Sequence, residues 1–326
     1  MAPDARAESA TQPEPGAGPR RRPAWLELLS REEIRDLVTH RDLRSVGSLV
    51  VDWGLVGASF ALVARWPGPL SILLALFVIG TRQLGLAILM HDAAHHALFR
   101  DRRVNDLVGN WLCAYPVWAD IHPYRAYHLQ HHAKNWTAAD PDLGLVTPFP
   151  ITRASLRSKI LRDLTGRTGW KRARATLRRD LGLSKGRQPR VLGGVRNLHG
   201  VVATNLALLS VLALAGHPAL YLLWVVAWFT TFQLVTRIRA IAEHAMAPDP
   251  SDPMRNTRTT LADPLARLFV APNRVNYHLE HHLLMTVPHY NLPRLHAMLR
   301  DRGALDGAWV ADGYLGVLRE AASRPA

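Results

Sequence analysis

Apolar positions fall into long blocks along the chain rather than being spread evenly. Residues 46–64 form the first block, interrupted only by Asp52, and residues 70–90 form the second, after Trp66-Pro-Gly-Pro69. A bilayer core about 30 Å thick needs about 20 helical residues, so each block is long enough to span. The short link between them predicts a hairpin. Residues 201–215 and 219–236 form a second pair, joined by Gly216-His217-Pro218, and the 201–215 block is short for a span. A further apolar piece, 107–119, is too short to cross and reads as re-entrant or interfacial. The expected fold is an all-α integral membrane protein with four transmembrane helices in two hairpins.

The flanks differ from these blocks. Residues 1–23 are Ala, Pro, Gly and charge with no apolar centre, which reads as a disordered tail and not as a cleavable signal peptide. Residues 24–45 are amphipathic. Trp25, Leu26, Leu28 and Leu29 precede Ser30-Arg-Glu-Glu33, which fits a capping box, and a helix over about 31–42 follows. That helix lies either on the membrane surface or against the protein. Residues 301–326 read as a C-terminal tail.

Charge gives the orientation. The chain of 326 residues has a net charge of +14. Arg6, Arg20, Arg21, Arg22, Arg31, Arg35, Arg41 and Arg44 precede the first block, whereas the two hairpin tips share one basic residue, Arg65. Segment 151–196 carries fourteen Lys and Arg against Asp163 and Asp180. The positive-inside rule puts both termini and segments 91–199 and 237–300 in the cytoplasm. The basic segment has one aromatic residue, Trp170, and no nucleic-acid motif, so no nucleic-acid partner is expected. Topology and anionic membrane lipids explain it more simply. A docking face for an acidic redox partner is compatible with that. Arg82 and Gln83 fall inside the second block, where a charge needs either a partner, a cavity or a route to the interface. The excess of Arg over four Lys and the lack of a targeting tag suit a bacterial inner membrane.

The chemistry lies in the histidines. A single cysteine, Cys113, excludes an intrachain disulfide and a cysteine-held metal. Sixteen histidines are present, and eight fall in three boxes. His91-Asp-Ala-Ala-His95 begins where the second block ends. His128-Leu-Gln-His131-His132 and His278-Leu-Glu-His281-His282 repeat one spacing. On a helix, residues i, i+3 and i+4 share a face, so each box presents neighbouring imidazoles. Eight ligands are too many for one four-coordinate zinc and fit two adjacent metals better. Iron is the redox-capable choice for an imidazole-rich site that handles oxygen.

These boxes resemble those of the membrane fatty acid desaturase family, which includes hydroxylases. The resemblance covers roughly 45–300. It extends to Lys134-Asn-Trp-Thr-Ala-Ala-Asp-Pro-Asp142, Asn276-Tyr277, Val287-Pro288 and Leu292-Pro-Arg-Leu-His296. It implies four spans under a cytoplasmic helical cap holding a non-haem centre of two iron ions. By matching positions, the implied ligands are His91, His95, His128, His131, His132, His278, His281 and His282. His244, just past the fourth block, is a candidate ninth ligand, as family members can draw one from this region. The alternative is a surface histidine paired to Glu243. His96 extends the first box but points about 100° away from His95 on a helix. His40, His122, His199, His217, His289 and His296 read as structural or solvated. Ligating imidazoles usually donate their other N–H to a carboxylate, so Asp92, Asp140, Asp142, Glu243 and Glu280 are candidates to orient them. Asp140-Pro-Asp142 also reads as a turn. Asn276 is a candidate to hold a water or an imidazole.

The resemblance implies activation of dioxygen and removal of two hydrogens from an acyl chain held in an apolar slot, with Trp111, Trp118 and Trp136 as candidate linings. The ligand set does not separate a desaturase of an acyl lipid or acyl thioester from a hydroxylase or ketolase of a lipid, sphingolipid or carotenoid. A non-catalytic metal-binding membrane protein is a remote alternative. A transporter would place ligands near the bilayer midplane, whereas these histidines gather at one face. A zinc hydrolase would need a positioned base. No Gly-x-Gly-x-x-Gly fingerprint or cysteine set is present, so two electrons per turnover are expected from a separate ferredoxin or b-type cytochrome with its reductase.

Overall fold

A computed structural model describes residues 23–183 and 194–325. The expected tail over 1–23 lies outside them apart from Pro23, as does stretch 184–193 of the basic segment. The chain is mostly helical. Among the described residues the strand is one parallel pair, Thr259–Thr260 beside Val310–Ala311. Among the described residues three helical stretches are long and apolar enough to cross a membrane: Arg31–Arg65, Pro69–Ala94 and Pro218–His244. The apolar part of the Gly194–Leu214 helix, Leu198–Leu214, falls short of that length.

The Asp42–Arg65 and Pro69–Ala94 helices pack on each other. Their interruptions face each other. Arg82 Nη1 lies 3.0 Å from Asp52 Oδ1, with the side chains 3% and 1% exposed. A lone buried charge costs several kcal/mol, so each group needs the other. Arg82 therefore has a partner and does not reach for the interface. Gly85 stands opposite, where an added Cβ would collide with the Asp52 carboxylate. Gln83 ties this pair to the next element by donating to the Trp224 carbonyl at 2.9 Å.

The Pro218–His244 stretch is bent. Tyr221–Phe229 and Thr231–His244 meet at Thr230, whose Oγ1 donates back to the Val226 carbonyl at 2.6 Å. Such back-bonding bends helices. Beyond the bend, Thr231 Oγ1 donates to the Leu76 carbonyl at 2.6 Å, against Gly80 of the Pro69–Ala94 helix.

Piece 107–119 continues the Arg102–Val108 helix through a π-helical turn, Gly109–Ala114, and packs on the Pro69–Ala94 helix. Nearby, Asn105 caps the end of that helix. It donates to the Ala93 carbonyl at 2.9 Å and accepts from Leu98 and Phe99 N–H at 3.2 and 3.3 Å.

Of the two terminal segments, the first follows one of its two expected placements and the second differs from the reading above. Ser30 and Glu33 form the expected capping box. Leu29 and Leu37 are buried against Val287, Leu292, Leu295 and Leu299, so this segment packs on the protein. The described residues 301–325 are not a tail. Val310–Ala311 pairs with Thr259–Thr260, and Tyr314–Ala321 buries Val317 and Ala321 against Ile241, Ala242 and Ala245. The spacing of Tyr314, Val317, Leu318 and Ala321 is that of one apolar helix face.

Candidate metal centre

Four elements deliver the histidines. His91 sits in the last turn of the Pro69–Ala94 helix and His95 caps it. His128, His131 and His132 ride on Ile121–Lys134, which Asp120 caps through the His122 N–H at 2.8 Å. His244 ends Thr231–His244. His278, His281 and His282 lie on the six-residue helix His278–Leu283.

These nine imidazoles gather into two groups that could each hold a metal ion. The first is His91, His95, His128, His132 and His281, and the second is His131, His244, His278 and His282. Within each group one nitrogen per ring lies within 4.8 Å of all the others. The groups abut, with the His132 and His282 rings stacked at 4.1 Å. His96 belongs to neither. The helix ends before it, its φ is +56°, and its ring faces Asp106 and Arg125.

The nitrogens converge in a way that ring-to-ring hydrogen bonds cannot satisfy. His244 Nε2 is 3.2 Å from His131 Nε2 and 2.9 Å from His278 Nε2. His132 Nε2 is 3.0 Å from both His128 and His281 Nε2. A neutral imidazole has one donor and one acceptor. Both nitrogens of His91, Nε2 of His95, Nδ1 of His244 and Nε2 of His282 are buried with no hydrogen-bond partner. At about 1–3 kcal/mol for each buried unsatisfied group, these five would cost an amount comparable to a domain's whole stability of about 5–15 kcal/mol. A cation in each group, ligated by one nitrogen per ring, would satisfy three of the five: one on His91, His95 Nε2 and His282 Nε2. Burial holds the rings neutral, as ligation requires: His95 is depressed to about 3 and His132 to about 2, and His128, His278, His281 and His282 are held well below the usual range.

Carboxylates back part of the set. His131 Nδ1 lies 2.8 Å from Asp140 Oδ1, and Asp140 also accepts the N–H of Trp136 and of Asp142. The Asp140-Pro-Asp142 turn and the carboxylate contact are thus one feature. Asp142 accepts the Tyr127 hydroxyl and lies 3.9 Å from His131 Nδ1. Glu243, paired with Arg239, lies 3.5 Å from His278 Nδ1, not paired to His244. Asp92 lies 3.5 Å from His91 Nδ1. Two candidates do something else. Glu280 holds His296 Nδ1 at 2.6 Å and the Thr259 hydroxyl, and touches no clustered imidazole. Asn276 donates to the Thr260 carbonyl at 3.1 Å, joining the short strand.

Sequence reasoning set aside His289, which is buried and donates to Asp92 from Nδ1 at 2.7 Å. It also missed Tyr124, whose ring stacks on His128 with centroids 5.2 Å apart. Tyr124 lies four residues before His128 on one helix, so that signal was present. Of the three tryptophans, Trp118 faces Trp228 at 5.7 Å, Trp136 donates from Nε1 to the Asn256 carbonyl, and Trp111 is 44% exposed. An apolar groove of about 560 Å³ between Asp42–Arg65 and Gly194–Leu214 includes Trp53, Phe60 and Leu212 but no clustered histidine.

The sequence matches the fatty acid desaturase family over residues 67–312. A relative, the dihydrorhizobitoxine desaturase of Bradyrhizobium elkanii, is 27% identical over 277 residues, covering 81% of this chain and 78% of its own. The matched region holds all three histidine boxes and His244, and the chain belongs to the fatty acid desaturase family.

Proposed function

We propose that this protein is an O2-dependent membrane desaturase that introduces a double bond into an unactivated acyl chain, carried as a lipid or a thioester. The observation that carries this reading is the pair of buried imidazole groups in a member of this family. His91, His95, His128, His132 and His281 would hold one iron, and His131, His244, His278 and His282 the other. Bound there, two irons supply the oxidising power to break an unactivated C–H bond with dioxygen and two external electrons. Asp140 accepts the His131 Nδ1 proton and so aims its Nε2 lone pair into the second group. Glu243, held by Arg239, sets a carboxylate 3.5 Å from His278 Nδ1. Tyr124 covers one face of His128 and restricts approach to it.

In this reading Leu198–Leu214 serves as the fourth span. Both termini and the histidines face the cytoplasm of a bacterial inner membrane, on the side that the positive-inside rule gives. Electrons come from a ferredoxin or b-type cytochrome with its reductase.

The test is untargeted mass spectrometry of lipids and small metabolites from a bacterial host expressing the protein with a ferredoxin and its reductase. The relative is named for dihydrorhizobitoxine, so the search must not be limited to fatty acids. A species two mass units lighter, absent with His131→Ala, is the expected result. A species sixteen units heavier would instead establish hydroxylation. Purified protein that holds no iron would end the oxidase reading.

A further inference from the structure

The third histidine box rides on a helix of six residues, too short to hold its own geometry. What fixes its ends therefore sets where His278, His281 and His282 stand. Both ends reach back to the first hairpin. Five residues before His278, Asn273 donates from Nδ2 to Asp52 Oδ2 at 2.8 Å and to the Gly85 carbonyl at 3.0 Å. Arg82, paired with the same Asp52, also donates to the carbonyl of Leu268 in the Pro264–Phe269 helix that leads to the box. Asn273 adopts φ +52°, a left-handed conformation that asparagine tolerates.

Seven residues after His282 comes the second contact. His289 donates to Asp92 Oδ2 from its backbone N–H at 2.9 Å and from Nδ1 at 2.7 Å. A carboxylate only accepts, so Nδ1 carries the proton and Nε2 accepts from Ser48 Oγ at 2.8 Å. The other oxygen of Asp92 lies 3.5 Å from His91 Nδ1. One carboxylate thus touches the first box and the turn that follows the third. Asp52, Arg82, Asp92 and His289 are all buried.

We propose that Asn273 and His289 are positioning residues that clamp the third box to the first hairpin at both ends, with the buried Asp52–Arg82 pair anchoring the first clamp. The inference rests on the metal reading of the site. His281 belongs to one group and His278 and His282 to the other, so loosening either clamp weakens both groups together.

Cobalt(II) is the probe, added to purified full-length protein in detergent. Affinity is read from its visible band under competition with a chelator, beside thermal unfolding of the metal-free form. Asn273→Gly keeps the left-handed backbone and removes only the amide contacts. His289→Ala removes the second clamp, and His289→Asn retains a donor toward Asp92. The expected result is cobalt affinity weaker by about 10- to 100-fold in Asn273→Gly and His289→Ala, the range for groups that orient ligating histidines. His289→Asn should recover most of the loss, and Ser48→Ala should show a smaller loss in the same direction. Wild-type affinity in all four variants, with melting alone lowered, would overturn the clamps and leave the contacts a purely structural role. Wild-type protein that binds no cobalt would instead overturn the metal reading itself.

Discussion

The two histidine groups use the same ligand type in different surroundings. In the second group Asp140 touches His131 at 2.8 Å, and Glu243, held by Arg239, approaches His278. In the first group the nearest carboxylate is Asp92, 3.5 Å from His91, and His128 meets the face of Tyr124 instead. Three of the five orphaned ring nitrogens belong to the first group. Carboxylate-backed imidazoles are more basic ligands with a fixed tautomer. The second group should therefore hold its ion more tightly, and the first should respond more to what approaches it. A protein that places two ions side by side can make them unequal without changing one ligand.

Removing a ligand from either group tests that comparison most severely. His281→Ala strikes the first group and His131→Ala the second. Each should abolish detectable product while membrane insertion is unchanged, measured by mass spectrometry and by fractionation. Asp52→Asn comes next and should affect both groups alike. It strands the Arg82 charge, at a cost of about 3–5 kcal/mol in unfolding free energy read from a denaturant titration. Asp140→Asn separates the groups. It should weaken cobalt binding in the second group by about 10- to 100-fold and spare the first, visible as one altered phase in a chelator titration. The smallest effect is expected from His217→Ala, an exposed residue at a hairpin tip, whose product yield should match wild type.

Three of the four expected spans and the three boxes were legible because each is a local pattern. A block of apolar residues or a spacing of three and four declares itself without knowledge of the fold. The nine-histidine set was readable for the same reason, with His244 added only by resemblance. What could not be read is what joins distant segments. Asp52 and Arg82 each stood out as an interruption, yet nothing in the sequence says that they face each other. His289 looked like any other structural histidine until Asp92, 197 positions away, came to lie beside it. Glu280 sits inside a box, but an offset of two residues from His278 and from His282, about 200° on a helix, turns it toward His296 and Thr259. The segment after 300 carries an apolar helix face in Tyr314, Val317, Leu318 and Ala321, and what that face packs on, Ile241, Ala242 and Ala245, lies far away in the sequence.

Metal content tests the central claim most directly. Protein purified after iron loading should hold about two irons per chain, and His281→Ala and His131→Ala should each hold about one, since they strike different groups. Iron-free wild-type protein, or the same loss of both ions from either variant, would contradict two separately held ions.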